Sequence, residues 1–342
     1  MIERLTFEDD GSHKSLCNNI CILVNLLGEN THTNRASAKP AADHRFNWDH
    51  LQAFLAVART GRLTAAAARL ATDHATVSRK ILSLEHALKT QLFDRSPRGY
   101  AITAQGEALL AIAEEMEGLA LAAADRVGGA DEALTGTVRS GAPEGFGSYY
   151  LAPRLASLID ANPGLTVELV AGPNVFSLSK READLVIALS KPVGGRLFAR
   201  RLTDFELGLY AAQSYLQSSA AIAAPADLST HRFIGYISDL IYAPELDYIH
   251  DVHPEISAAI ESSNLVAQLH ATLAGAGLCI LPAFIARLHH ELVPVLPREI
   301  RLVRSFWLLT HADMRGLKRI KAVSDFLANA VRRERKLFAQ PE

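Results

Sequence analysis

Residues 65–106 read AAAARLATDHATVSRKILSLEHALKTQLFDRSPRGYAITAQG, and this stretch decides the fold of the first half of the chain. Two short helical patterns flank a break at residues 71–73, and a compact Arg-Ser-Pro-Arg-Gly turn follows the second pattern. Hydroxyl and basic side chains cluster at the start of that second pattern. Helix, turn, helix and wing in this order are typical of a module that reads double-stranded DNA.

Capping residues predict where the three helices of this module begin. Asn47, Thr64 and Asp73 are predicted caps, because a side-chain oxygen at this position can accept from the free amides of a first helical turn. Gly61 is placed to end the first helix in the left-handed conformation. Apolar spacing predicts the buried faces of the first and third helices, which are Leu51, Phe54, Leu55 and Ala58, and Val77, Ile81, Leu84 and Leu88.

The polar residues left facing outward are candidate DNA contacts. Arg79 can donate two hydrogen bonds to a guanine, while Thr76 and Ser78 can meet bases or phosphates. Arg98 stands in a tight turn and suits a wing lying against the DNA backbone or minor groove. The competing interpretation for each residue is an ordinary solvated surface position. The predicted DNA-binding set is Thr64, His74, Thr76, Ser78, Arg79 and Arg98.

Length and charge indicate what else the chain contains. A chain of 342 residues predicts two or three domains, and 49% apolar residues suffice for substantial cores. The formal net charge is only −2, but residues 46–105 hold eight basic against four acidic side chains, about +4. A local basic patch on a near-neutral protein favours phosphate binding with restrained non-specific affinity.

Cysteine usage and hydropathy predict a cytoplasmic protein that does not enter the membrane. The three cysteines, Cys17, Cys21 and Cys279, make no disulfide framework. No apolar run approaches the roughly 20 residues of a membrane span. Residues 1–45 show no sustained period, which favours a flexible leader or a start codon placed too far upstream. A metal clip from Cys17 and Cys21 is the weaker alternative.

The segment from Phe46 to about Leu110 resembles the DNA-binding domain of LysR-type transcriptional regulators. One departure is Asp73–His74, where that family often has Ser-Gln, which bears on base preference at this position. The matching residues are Leu51, Phe54, Val57 and Ala58, the run from Thr64 to Leu70, the run from Thr76 to Arg79, and Leu84, Glu85, Leu92, Phe93, Arg95, Gly99, Thr103 and Gly106.

A long helix is predicted from about Ala104 to Val127. Its apolar residues recur at alternating spacings of three and four, as in a coiled-coil seam, although a generic amphipathic helix is the alternative. The resemblance implies a linker helix that pairs with its mate in a homodimer or homotetramer, which sets two winged heads on one operator. The seam consists of Leu109, Ile112, Met116, Leu119 and Ala123.

Beyond Gly128–Gly129 and Gly136, which are expected to bracket a hinge, strand and helix patterns alternate. This alternation argues for α/β units with largely parallel sheets. The predicted strands are Thr137–Ser140, Thr166–Val170, Asp184–Leu189, Leu207–Tyr210, Gly277–Leu281 and Ser305–Thr310. The predicted helices between the first three are Tyr150–Asp160 and Phe176–Arg181.

This second half resembles the effector-binding domain of the same family, which is similar to periplasmic solute-binding proteins. The resemblance implies two subdomains joined by two crossovers, with a ligand in the cleft between them. The expected organisation is a leader at 1–45, an all-α winged helix-turn-helix at 46–104, a linker helix at 105–131 and an effector domain at 136–335. Its subdomain one is 136–206 with 308–335, and subdomain two is 207–307.

Ligands of open α/β sheets bind beyond the carboxyl ends of strands, near helix N-termini. Free amides there can hold an anion, and Lys191 could add charge, but Glu144 would repel one. Phe146 allows stacking on a ring, although a core aromatic is the more frequent interpretation. The predicted effector-binding residues are Glu144, Gly145, Phe146, Ser190, Lys191, Ser263 and Asn264.

Other chemistry is not indicated by the sequence. No Gly-x-Ser-x-Gly elbow and no Gly-x-x-x-x-Gly-Lys phosphate loop occurs. Cys279 reads as a buried inert thiol, and His289–Glu291 as a solvated turn. We therefore predict a transcriptional regulator, not an enzyme, with no cofactor or metal. Its predicted partners are operator DNA, a small-molecule effector and RNA polymerase, and the alternative is a solute-binding or enzymatic domain fused to a DNA-binding head.

Overall fold

The computed structural model of the chain describes residues 47–127, 134–172, 178, 182–192, 196–252 and 256–340. Its first part is a helical head with a two-stranded wing. The helices are α1 (Trp48–Thr60), α2 (Leu63–Arg69) and α3 (His74–Leu88), and the antiparallel strands are β1 (Phe93–Ser96) and β2 (Gly99–Ile102).

Two of the three predicted caps and the predicted helix stop are confirmed. Asn47 Oδ1 accepts from the amide of Asp49 at 2.9 Å, and Asp73 Oδ1 accepts from the amide of Thr76 at 2.8 Å. Gly61 ends α1 with a φ of 67°. These local hydrogen bonds satisfy amides that have no partner inside the helix, which is why short-range sequence signals located them.

Two predictions about the helices of the head are wrong. Thr64 is not the cap of α2, because the helix begins two residues earlier than predicted, at Leu63, and Arg62 takes the cap position without a side-chain hydrogen bond. Leu63 instead packs against the head core. Leu88 is 37% exposed, since α3 ends there and Lys89 turns the chain into the left-handed region.

A buried carboxylate ties α3 to the wing. Glu85 is 9% exposed, and its Oε1 accepts from the amide of Leu92 at 2.9 Å. Its Oε2 pairs with the guanidinium of Arg95 on β1. Because this carboxylate accepts from the wing while it belongs to α3, it holds the wing at a set angle to α3.

The linker helix α4 spans Ala104–Val127, as predicted. Its apolar residues do not form one seam, however. Leu109 and Met116 pack against the head core, whereas Ile112 and Leu119 are 58% and 66% exposed. The helix therefore binds its own head with one face and leaves a second apolar stripe open.

The second part of the chain is built on one mixed sheet. Within the described residues this sheet has nine strands in the order β4-β3-β5-β11-β6-β9-β7-β8, with β10 also paired to β6. The strands are β3 (Thr135–Ala142), β4 (Gly164–Ala171), β5 (Leu185–Ala188), β6 (Leu197–Ala212), β7 (Phe233–Tyr236), β8 (Ala258–Ser262), β9 (Leu278–Pro282), β10 (Leu292–Val295) and β11 (Leu302–His311).

The expectation of largely parallel sheets is wrong at the centre of the molecule. Parallel pairing occurs toward both ends of the sheet, between β3 and its neighbours β4 and β5 and between β7 and its neighbours β8 and β9. The long strands β6 and β11 run antiparallel to each other, and they also pair antiparallel with β9, β10 and β5. The antiparallel pair β6 and β11 therefore connects the two parallel parts of the sheet.

Helices cover this sheet, and several of its elements were not foreseen. The predicted helix Tyr150–Asp160 starts as a π-helical turn, Phe146–Leu151, before α5. Strands β7, β8 and β10 and the helix α10 were missed. The helices are α5 (Ala152–Ala161), α6 (Gln213–Ser218), α7 (Tyr248–Val252), α8 (Leu265–Leu273), α9 (Ala283–Ala286) and α10 (Lys318–Arg333).

Several features predicted from the sequence lie in a different element or outside the described residues. Gly136, the predicted far boundary of a hinge, is the second residue of β3, opposite Leu165 of β4. Gly128–Gly129, residues 1–45 and nearly all of the predicted helix 176–181 lie outside the described residues. Cys279 is fully buried in β9, where burial raises the pKa of its thiol to about 12. Among the helices that the structure describes, none has the length and apolar character needed to cross a membrane.

We expect Glu85→Ala to destabilise the head by about 2–3 kcal/mol, because it strands the amide of Leu92 and removes a charged hydrogen bond. Urea unfolding of the full chain followed by Trp48 fluorescence measures this in a Trp307→Phe background, since the chain has two tryptophans. Glu85→Gln keeps one acceptor oxygen, so its free energy of unfolding should lie between that of the unmodified protein and that of Glu85→Ala. A loss within about 0.5 kcal/mol for the alanine variant would contradict the assignment.

Candidate nucleic-acid interface and ligand cavity

The start of α3 carries a chain of hydrogen bonds on its exposed side. The Thr76 hydroxyl donates to Asp73 Oδ2 at 2.7 Å and accepts from Arg79 Nη2 at 2.9 Å. Hydrogen bonds from the hydroxyl and amide of Thr76 hold the pKa of the Asp73 carboxyl below its ordinary value. The capping carboxylate thus orients a threonine, which in turn orients the arginine.

The structure brings the predicted DNA-binding residues of α3 together. His74 and Arg79 are exposed, and Thr76 and Ser78 are half-buried beside them. The buried face of the same helix points the other way, since Val77, Ile81 and Leu84 are fully buried. Thr64 is exposed at the second position of α2.

The wing is held against the end of α1 by a close backbone contact. Tyr100 donates its amide to the carbonyl of Gly61 at 2.9 Å. A Cβ on Gly99 would lie 2.5 Å from the same carbonyl oxygen, and Gly99 has a φ of 135°. A side chain is therefore excluded there for two reasons. Arg98, exposed in the turn before it, projects from a fixed wing.

A small cavity of about 30 Å³ lies where the carboxyl ends of β3 and β5 meet the start of α8. This volume holds one or two water molecules, so a larger ligand enters only when the walls of the cavity move apart. We call it the aromatic cavity. Its lining residues are Pro143, Glu144, Gly145, Phe146, Leu189, Phe205, Tyr236, Tyr242, Leu246, Tyr248, Ser263, Asn264, Leu265, Pro282, Phe284 and Phe306.

Five of the seven predicted effector-binding residues line this cavity. They are Glu144, Gly145, Phe146, Ser263 and Asn264. Ser190 and Lys191 are exposed and do not line it, and Leu189 takes the place at the end of β5. The strand-end rule therefore located the cavity but not every residue that lines it.

The three tyrosines of the cavity are not among the residues predicted from the sequence. Tyr236, Tyr242 and Tyr248 are three of the chain's eight tyrosines and stand close together in sequence. That local enrichment was the available signal. Burial raises the pKa of all three phenols, and the charge of Glu144 adds to the rise for Tyr236 and Tyr242, where the Tyr242 pKa reaches about 12.

The chain's own groups occupy the N-terminus of α8. Asn264 Oδ1 accepts from the amide of Ala267 at 2.8 Å, and Glu144 Oε2 accepts a long bond from the amide of Val266 at 3.5 Å. The amides that an anionic ligand would use are thus met by an amide oxygen and a carboxylate.

The surroundings offer no alternative metal chemistry within the described part of the chain. No group of three or more His, Cys, Asp or Glu side chains there is placed to hold a metal ion. His290 and Glu291 are exposed, in keeping with the predicted solvated turn. The chemistry of the cavity is therefore that of apolar packing, hydrogen bonding and one carboxylate.

Fold and site together define a DNA-binding head joined to a ligand-binding α/β domain. Residues 131–332 match the family model of the LysR substrate binding domain, and residues 48–107 match that of the bacterial regulatory helix-turn-helix protein, lysR family. The first match alone spans more than half of the chain. The chain belongs to the LysR family of transcriptional regulators, which pair a DNA-binding with an effector-binding domain and form oligomers.

Individual relatives agree with this assignment. The chain is 28% identical over 247 residues to the HTH-type transcriptional regulator PtxR of Pseudomonas aeruginosa, across 71% of this chain and 78% of the relative. It is 27% identical over 285 residues to the Mau operon transcriptional activator of Paracoccus denitrificans, across 83% and 96%. Both relatives are named as regulators of transcription.

Solved structures share the fold. A full-length OxyR variant from Pseudomonas aeruginosa superimposes with a TM-score of 0.65 at 19% identity, across 84% of this chain and 95% of that one. Full-length LysG from Corynebacterium glutamicum with bound effector arginine gives 0.60 at 17% identity, across 86% and 100%. At such identities the likeness concerns architecture alone.

Proposed function

We propose that this regulator reads its operator with the start of α3 and changes state when a small molecule occupies the aromatic cavity. The hydrogen-bond chain from Arg79 through Thr76 to Asp73 supports the proposed recognition of the operator by α3. It presents a guanidinium in the open, at the helix start that enters the major groove in helix-turn-helix modules. His74 and Ser78 stand beside it as further base or phosphate contacts.

The remaining proposed contacts position the head rather than read bases. Arg98 projects from the fixed wing, where it can meet a phosphate or the minor groove. Thr64 is exposed at the start of α2, whose free amides and hydroxyl suit a phosphate. Such contacts contribute affinity on any sequence and make binding salt-dependent.

We expect Arg79→Ala to weaken operator binding by about 1–3 kcal/mol, roughly 5–150-fold, because a bidentate guanine contact is lost. Fluorescence anisotropy with the intergenic DNA upstream of the chain's own gene, compared with a scrambled duplex, measures this. Affinity for the scrambled duplex should change much less.

The matched control is Arg98→Ala, which removes one charge from the wing. We expect it to weaken binding to both duplexes alike and to lower the salt dependence by about one ion, since it meets phosphate. An unchanged operator affinity for Arg79→Ala would remove that residue from the base-reading set.

We propose that the open stripe of α4 pairs with a second copy of the chain. Ile112 and Leu119 lie one heptad apart and are more than half exposed, while the same helix binds its head through Leu109 and Met116. Burial against a mate would place two heads on one operator, as a dimer or within a tetramer.

We expect Leu119→Glu to shift the chain toward monomer, because a carboxylate replaces an apolar side chain that contributes about 1.5–3 kcal/mol when buried. Sedimentation velocity across a concentration series measures the shift. The control is Ala120→Glu on the same exposed turn, displaced from the stripe. Dimerisation of Leu119→Glu equal to that of the control would contradict pairing through α4.

A buried ionic cluster joins the head and linker to the second domain, which supports communication between them. Arg59 of α1 donates from Nη2 to Glu117 of α4 at 2.6 Å and lies 3.9 Å from Glu114. Glu114 lies 3.7 Å from His311, at the end of β11. Asp313 lies 3.3 Å from His311 and 3.0 Å from Arg196.

Strand β11 reaches from this cluster to the cavity. Phe306 lines the aromatic cavity, and His311, five residues later, faces Glu114. An extended strand covers that interval in about 17 Å. A ligand that shifts Phe306 therefore acts on the strand whose end contacts the linker, which is the two-state coupling that an effector requires.

We expect Gly118→Ala to loosen this contact, because the added Cβ would lie 2.6 Å from Cβ of Asp313. Overpacking of about 1–3 kcal/mol should speed hydrogen exchange of the α4 amides near Gly118 by roughly 5–150-fold. Since alanine raises helix propensity, slower exchange would mean that α4 does not dock in solution. Ala120→Ser, on the exposed face, is the control.

The proposed domain bounds, cellular location and partners are supported by family membership and by the topology of the sheet. The domain bounds 46–104, 105–131 and 136–335 are supported by α4 and by the family matches. Strands β6 and β11 cross between subdomain one, at 136–206 and 308–335, and subdomain two, at 207–307. Membership also supports a regulator rather than an enzyme, acting in the cytoplasm, where it can contact operator DNA and RNA polymerase.

A further inference from the structure

The aromatic cavity carries negative charge and no positive charge. Its polar groups are the Glu144 carboxylate, the Ser263 hydroxyl and the Asn264 amide, and no lysine, arginine or histidine of the described residues lines it. Arg304, whose charge acts on Tyr248, is paired with Asp251 instead. A ligand carboxylate would therefore meet a carboxylate without a compensating cation.

The position of Glu144 is set by backbone packing. A Cβ on the next residue, Gly145, would lie 2.6 Å from Leu265 at the start of α8 and 2.9 Å from Ile285 of α9. The backbone beside Glu144 therefore packs against the side-chain ends of Leu265 and Ile285. The carboxylate reaches the amide of Val266 at only 3.5 Å, so it is weakly engaged there and keeps acceptor capacity for a ligand.

The aromatic rings complete a setting for a cation. Three tyrosines and four phenylalanines line the cavity: Phe146, Phe205, Tyr236, Tyr242, Tyr248, Phe284 and Phe306. Ring faces carry negative potential, and several rings around one cation form an aromatic cage. The hydroxyls of the three tyrosines make no hydrogen bond to any described residue, so they remain available as acceptors.

We propose that the effector is a small organic cation with an apolar or aromatic body, an aryl- or alkylammonium compound. Its ammonium group pairs with Glu144 among the tyrosines, and its body packs against Phe146 and Phe306. This inference rests on the proposed function, in which the aromatic cavity is the effector site. It deepens that function by stating the charge and chemical class of the ligand.

The test compares three probes with one phenyl body and different head groups: 2-phenylethylamine, 2-phenylethanol and phenylacetate. Calorimetric titration of the full-length protein, up to the roughly 10 mM range expected for ligands of this size, gives each affinity. We expect the amine to bind at least about tenfold more tightly than the alcohol or the acid, since it alone pairs with the carboxylate.

Glu144→Gln removes the charge with little change of shape. We expect it to weaken amine binding by about tenfold, to leave the alcohol within about twofold, and to improve binding of the acid, because repulsion at the α8 amides is relieved. Glu299→Gln removes an exposed carboxylate that does not line the cavity and should leave all three affinities unchanged.

The outcomes separate the ligand class from the site itself. Tighter binding of phenylacetate than of the amine, abolished by Phe146→Ala, would overturn the cationic class while the effector cavity stands. Amine affinity unchanged by Glu144→Gln would likewise overturn it. Absence of binding for all three probes would overturn both the ligand class and the cavity as an effector site. The comparison of probes on the unmodified protein stands even where a variant fails to fold.

Discussion

The antiparallel ladder between β6 and β11 is the interaction on which the second domain depends. It runs from Leu302 opposite Leu207 to His311 opposite Leu197, with an irregularity between Phe306 and Trp307. Strand β5 pairs with β11, and strands β9 and β10 pair with β6, so every other strand of the sheet attaches directly or indirectly to this pair. The antiparallel pair β6 and β11 thereby joins the two parallel parts of the sheet.

The same ladder runs from the wall of the aromatic cavity to the linker helix. Phe205 of β6 and Phe306 of β11 stack with ring centroids 4.1 Å apart, and both line the aromatic cavity. Toward its end, β11 delivers His311 to the linker helix beside Glu114. Strand β11 therefore connects the wall of the aromatic cavity to the linker helix through continuous backbone.

Local signals in the sequence explain why the head was predicted well. The Asn47 and Asp73 caps, the Gly61 stop and the exposed polar side of α3 all depend on residues within a few positions of one another. The wrong cap at Thr64 arose because packing of Leu63 against the core extends α2 backward by two residues, a tertiary effect. The tyrosines of the cavity escaped notice because side chains from separate strands and loops meet there only after folding.

By itself, the sequence determined the winged helix-turn-helix, the linker helix, the alternation of strands and helices and the approximate place of the aromatic cavity, since hydrophobic period, capping and strand ends are local properties. Only the tertiary structure decided the antiparallel centre of the sheet, the division of α4 into a bound and an open face, and the contact of Arg59, Glu114 and His311. It also set Glu144, not a free amide, against the start of α8. These features depend on which distant segments pack together, and no local pattern encodes that choice.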